Sequence, residues 1–152
     1  MLSAFDHAII AVRDLEQAAA TYEGLLGRRR SWRGEHPGLG TENVLFGLDN
    51  MYIELLTPTG SGAIADALRR RLEEEGEGLV GMALETADAE RCARTLRELG
   101  LDVSDPQPGE GSDRESGTVR RWQNVILSPH NASASARFCL KAPRLLSHCL
   151  HA

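Results

Sequence analysis

Aromatic side chains are scarce: two Trp, two Tyr and three Phe in 152 residues, too few for a wide stacking surface. Cysteine is scarcer still. Cys92, Cys139 and Cys149 are odd in number and show no CxxC or zinc-type spacing, which suits reduced, unpaired thiols in a reducing compartment. Nowhere do about 18 apolar residues follow one another, and the opening MLSAFDHAII has no basic segment ahead of its short apolar run. Neither a membrane span nor a secretion signal is expected, and the protein is read as cytoplasmic. Basic residues do not dominate either. Seventeen Lys and Arg against 22 Asp and Glu give a net charge of −5, which argues against a nucleic-acid partner and for a small one. What is present is ordinary for a globular chain: 41% apolar and 26% charged residues, enough for one domain or two small halves sharing a core.

Hydrophobic period divides the chain. Phe5 to Val12 is a short apolar run with β-branched residues, read as a strand covered on at least one face. Asp14, with Gln17 three residues on, resembles a capping box. Leu15, Ala18, Ala19, Tyr22, Leu25 and Leu26 then recur at helical spacing until Gly27 ends the run. From Arg28 to Pro58 that period disappears. Glycines, Pro37 and the Asp49-Asn50 pair punctuate strands expected near Arg28–Arg33, Thr41–Leu48 and Met51–Thr57, completing a βαβββ unit. The stretch TPTGSG leads into a helix at Ile64–Glu75, where Arg69–Glu73, Arg70–Glu74 and Arg71–Glu75 pairs mark a solvated connector.

The pattern then returns. LVGMALETADAERCARTLRELG, residues 79–100, lies on FDHAIIAVRDLEQAAATYEGLLG at an offset of 74, setting Gly81 on His7, Asp88 on Asp14 and Cys92 on Ala18. A loop-forming run at 105–117 precedes strands expected at Val119–Leu127 and Ala136–Ala142. The expectation is an α+β fold made by internal duplication. A first βαβββ module occupies 1–59, a linker with a connector helix 60–77, a second, degenerate module 78–142, and a tail 143–152. Two such mixed sheets side by side curve around a cleft, with helices on the convex side.

One residue stands out against this frame. In EHPGLGTENVLFGLDNMYIELLTP, Glu54 places a carboxylate within an otherwise apolar strand. Strand alternation sets Tyr52, Glu54 and Leu56 on one face, and Phe5, His7, Ile9 and Ala11 on one face of the first strand. If both faces are concave, His7 and Glu54 meet across neighbouring strands and offer two ligand types that a divalent ion accepts. The two could equally bond only each other, or Glu54 could face solvent on an edge strand.

FDHAIIAVRDLEQAAATYEGLLG followed by HPGLGTENVLFGLDNMYIELL resembles the glyoxalase/bleomycin-resistance/extradiol-dioxygenase superfamily, the vicinal oxygen chelate proteins. Within it the chain is similar to the glyoxalase-like domain family, through its Asp-His opening, a His-Pro-Gly-x-Gly-Thr-x-Asn segment and a Tyr-x-Glu strand. The resemblance runs from about residue 4 to about residue 142 and is stronger in the first half. It implies paired βαβββ modules around a small-molecule cleft, with His7 and Glu54 at the first-module metal positions for Zn, Ni, Mn or Fe. It also implies a homodimer. The second module departs from the pattern: the partner of His7 is Gly81, and laying Met51–Leu56 on Arg137–Ala142 sets Leu140 opposite Glu54, so neither ligates through its side chain.

Further candidates surround this pair. His36, Thr41 and Asn43 fall in the family-like segment, as substrate-binding groups at the cleft mouth or as local turn chemistry. Tyr52 shares the Glu54 face. Trp122 shares a face with Arg120 and Asn124 and either walls the pocket or fills the core. Arg114 is read as a solvated loop residue, and His130, His148 and His151 receive no role. Two functions compete. The first is a metal-assisted isomerase, lyase or dioxygenase-type enzyme acting on vicinal oxygens, with Glu54 as its catalytic acid or base. The second is a non-catalytic small-molecule binding protein of the bleomycin-resistance type.

Overall fold

The structure is a computed structural model that describes residues 2–128 and the backbone of 137–143. Its elements follow the order β1 (Leu2–Ala11), α1 (Leu15–Leu26), β2 (Trp32–His36), β3 (Thr41–Gly47), β4 (Tyr52–Pro58), α2 (Ala63–Glu74), β5 (Gly78–Thr86), α3 (Ala89–Glu98), β6 (Gln107–Asp113), β7 (Val119–Ile126) and β8 (Arg137–Pro143). This is an α+β chain of two βαβββ modules. The loop holding His130 and the tail holding His148 and His151 lie outside the described residues.

Local chemistry starts α1 and α3 in the same way. The Asp14 carboxylate accepts the Gln17 backbone N–H at 2.9 Å, and the Asp88 carboxylate accepts that of Arg91 at 2.9 Å. Each bond satisfies an orphan donor of the first turn, at about 1 kcal/mol per cap. The caps stand 74 residues apart, as the duplication requires. Helix α1 ends at Gly27, whose φ of 63° is the left-handed conformation a glycine tolerates.

The strands join into one ring in the order β1-β4-β3-β2-β6-β7-β8-β5, closing from β5 back to β1. Strand β1 runs antiparallel to β5, pairing His7 with Ala83, Ala8 with Met82 and Ile9 with Gly81. Exchanging the modules by 74 positions maps the first of these pairs onto the third, so a local two-fold axis passes between Ala8 and Met82. The other seam is short: β2 meets β6 only through Gly34 with Asp113 and Glu35 with Ser112.

The parallel ladders correct one expectation. His7 pairs with Tyr52 and Ile9 with Glu54, while Gly81 pairs with Arg137 and Ala83 with Cys139. The counterpart of Glu54 is therefore Cys139, not Leu140. Sequence overlay slid the last strand by one position, and only the hydrogen-bond register removes such a slip.

Helices α1 and α3 pack on the outside of the ring. Val12, Leu15, Ala19, Val44, Phe46 and Leu55 form one buried cluster, and Ala89, Cys92, Ala93, Val103 and Val125 another. Tyr22 lies at the edge of the first, stacked at 6.1 Å on Phe46. Helix α2 is not a solvated connector. Leu68 and Leu72 are buried with Ala11, against Leu56 and Val80, each leucine contributing on the order of 2 kcal/mol. Its charge pattern hid that stripe, and of the expected pairs Arg71–Glu75 forms at 3.3 Å while Arg69 turns to Asp66 at 2.8 Å.

Two strands differ from expectation for one reason. Strand β2 lies at 32–36 rather than 28–33, and β6 is made from QPGEGSD, a loop-like sequence. A Cβ on Gly34 would overlap the Trp32 indole, and a Cβ on Gly109 would overlap that of Trp122. These glycines give room to rings rather than freedom to turns. Gly109→Ala is expected to cost about 1–3 kcal/mol, lowering the Tm by roughly 2–4 °C per kcal/mol. Gly38→Ala, with nothing within 4 Å of the added carbon, serves as control; equal melting of the two variants in calorimetry contradicts the account.

Candidate functional site

On β4, Ile53 and Leu55 join the outer cluster under α1. Alternation therefore turns Tyr52 and Glu54 into the ring. From β1 comes His7, from β3 Thr41 and Asn43, from β2 Trp32 and His36. The hairpin that carries His36 and Thr41 turns on Gly40, at φ 66°, where any side chain would also strike the backbone of Ser61. This bend brings His36 opposite Thr41 in register.

The side chains meet in one buried network. His7 Nε2 stands 3.3 Å from Glu54 Oε2, and His7 Nδ1 stands 3.3 Å from Asp6 Oδ1. Asn43 Nδ2 donates to Glu54 Oε1 at 2.6 Å, and Trp32 Nε1 donates to Asn43 Oδ1 at 3.2 Å. The same Asn43 Nδ2 lies 3.4 Å from His36 Nε2, and His36 Nδ1 lies 3.0 Å from Thr41 Oγ1. Rings frame both ends: Tyr52 stacks on His7 at 4.4 Å, and Trp122 meets His36 edge-on at 5.9 Å.

All the residues singled out from the sequence, His7, His36, Thr41, Asn43, Tyr52, Glu54 and Trp122, thus fall in one place. Asp6 and Trp32 were not foreseen. Asp6 lies on the outward phase of β1 yet reaches His7 from the neighbouring position; Trp32 gave no signal, because the strand holding it was displaced in the reading. Arg114 is not simply solvated: it bridges Glu35 at 3.1 Å and Glu42 at 2.5 Å, outside the ring. One surface hollow, about 400 Å³ and lined by Val12, Asp14, Tyr22 and Glu77 among others, lies beside α1 and shares no residue with the network.

Burial decides the electrostatics. Glu54 is 8% exposed, His7 5% and Asn43 3%. Burial alone would raise the Glu54 carboxyl; the hydrogen bond and charge of His7, the charge of His36 and the Asn43 amide together outweigh it and hold the pKa down to about 2. Glu54 is therefore ionised throughout the neutral range. As a proton acceptor it is feeble, and as a permanent negative charge it is well kept. Among the described residues, no three His, Cys, Asp or Glu side chains converge to hold a metal ion, so His7 and Glu54 stand as a two-donor set.

Because its folded pKa lies below its ordinary value, Glu54 contributes stability that is complete above about pH 4.5 and lost as pH falls toward 2. The contribution is on the order of 3 kcal/mol. In urea unfolding, wild type is expected to exceed Glu54→Gln at pH 6, the gap closing between roughly pH 4.5 and 2.5. A gap constant over that range contradicts this electrostatic origin.

Known proteins resemble both the sequence and the fold. A profile described as glyoxalase-like domain matches residues 5–149. An ethylmalonyl-CoA/methylmalonyl-CoA epimerase of Cereibacter sphaeroides is 34% identical over 104 residues, 68% of this chain and 75% of that protein. The fosfomycin resistance protein FosX of Mesorhizobium japonicum is 23% identical over 145 residues, 95% of this chain and 97% of that one. Among solved structures, a Streptomyces coelicolor methylmalonyl-CoA epimerase in complex with 2-nitronate-propionyl-CoA superposes with a TM-score of 0.79 at 22% identity, covering 98% of this chain and all of the other. At that identity the likeness speaks for the fold alone. With its βαβββ pair and a matching profile over nearly its whole length, the chain belongs to the glyoxalase-like domain family of the vicinal oxygen chelate superfamily.

Proposed function

We propose that the chain is an enzyme with isomerase-type chemistry, moving a proton at a carbon beside an oxygen-bearing group of a small molecule held in the ring. One observation carries this reading: a buried imidazole and a carboxylate kept ionised face each other across β1 and β4 at 3.3 Å. The relatives named as epimerases support the reaction class.

His7 and Glu54 are the residues that would hold a divalent ion, and their geometry fits one. An imidazole nitrogen and a carboxylate oxygen that face each other at 3.3 Å would offer such an ion two donors of the types it accepts. Asp6 on His7 Nδ1 and Asn43 on Glu54 Oε1 orient both donors, as outer partners of metal ligands do. When bound, such an ion supplies Lewis acidity to substrate oxygens. Glu54 then acts as ligand and counter-charge rather than as base. The proton-transfer role then falls to His36, the remaining imidazole of the network, at the far end of Asn43.

A non-catalytic binder is the second reading, favoured by the absence of a third donor among the described residues. The described helices include none long and apolar enough to cross a membrane, and Cys92 is a free, buried thiol. These support the proposal of a cytoplasmic protein. A homodimer, with modules divided at 59/60 and 77/78, is proposed from the family resemblance; a solution mass near 16.6 kDa removes the dimer.

Titration calorimetry with Zn and Mn is expected to detect one ion per chain, weakened about tenfold or more in Glu54→Gln and in His7→Gln. Deuterium uptake at the α-carbon of methylmalonyl-CoA, followed by NMR, is expected in wild type and lost in both variants. Equal metal uptake by all three proteins sinks the ligand assignment. Ligand binding without exchange under any metal favours the binder.

A further inference from the structure

We propose that Arg120 is the specificity-determining residue of this site, recognising an anionic group, a carboxylate or a phosph(on)ate, on the substrate; this rests on the reading of the ring interior as a substrate site. Arg120 pairs with Gly111 on β6, and Trp122 with Gly109. Opposed residues of an antiparallel pair share a face. A carbon added at Gly111 would meet His36 and Trp122, so that face is the inner one. Arg120 rises from it, opposite Gly111.

Its guanidinium carbon lies 4.4 Å above the centre of the Trp32 ring. Trp32 is 5% exposed while Arg120 is exposed, so the cation forms the solvent-side cover of a ring whose N–H enters the Glu54 network. Stacking alone is weak at an exposed position. It holds the guanidinium over the Trp32 ring, where its N–H groups carry no carboxylate partner among the described residues.

The neighbouring arginines are occupied. Arg33 is paired with Glu16 and Glu42, Arg114 with Glu35 and Glu42, and Arg121 with Glu110. Among the described residues no carboxylate pairs with Arg120. A chain of net charge −5 thus keeps an unneutralised guanidinium at this one edge of the site. The fork matches the planar oxygens of a carboxylate or those of a phosphate. The Trp32–Asn43 link of 3.2 Å followed by Asn43–Glu54 at 2.6 Å sets this cation at the opposite end of the network from Glu54.

The chain's two tryptophans both stand at this site, so their fluorescence reports it without background. The protein is titrated with malonate, inorganic phosphate and neutral malonamide. Wild type is expected to bind at least one anion, the arm that responds identifying the group. Arg120→Gln weakens that anion roughly tenfold or more and leaves malonamide unchanged. Arg120→Lys, keeping charge without the fork, falls between. Arg121→Gln, at the adjacent position paired with Glu110, matches wild type. Equal anion binding by Arg120→Gln and wild type overturns the proposal while the interior reading stands. So does wild type that binds malonamide but no anion. If none of the probes perturbs either tryptophan, both fall.

Discussion

The structure turns on one constraint: a carboxylate buried inside a ring of strands has to remain charged. An isolated buried carboxylate costs several kcal/mol and would protonate instead. Glu54 avoids this because both its oxygens are engaged, one by the Asn43 amide and the other by His7. Asn43 can donate there because Trp32 fixes its oxygen and His36 faces its nitrogen. Each member is held by the next, so the network forms as a whole or leaves a buried polar group unmatched.

Duplication explains where this chemistry sits. The ring is nearly symmetric in backbone, with matching caps at Asp14 and Asp88 and a two-fold axis between Ala8 and Met82. Its side chains are not symmetric. Where the first module carries His7, the second carries Gly81, and β6 places Gly109 and Gly111 on its inner face. The first module supplies the ionisable groups, and the second supplies room that Trp122 and Arg120 occupy. Specialised halves on a symmetric frame thus set the ionisable network of the first module opposite an indole and a guanidinium from the second.

Much of this was legible in the residues. Period, caps and the offset of 74 gave the two modules, and alternation along Tyr52-Ile53-Glu54-Leu55 placed the acid on the same face as the one that meets His7. What could not be read depended on contacts distant in sequence. Gly109 and Gly111 signal a turn locally and a strand only when an indole lies over them. The inward stripe of Leu68 and Leu72 was masked by charges that satisfy the outer face of α2. Cys139 required a ladder register, and Asp6 a reach across strand phase that alternation does not contain.

The central claim, that the buried network keeps Glu54 ionised rather than leaving it poised to exchange protons, is open to direct measurement. Carbon-13 NMR of the protein labelled at glutamate side-chain carboxyls, with Glu54→Gln to assign the resonance, follows its titration from pH 7 downward. The account predicts a midpoint well below the ordinary 4.5, at about 2. A midpoint at or above 4.5, the ordinary value, contradicts it.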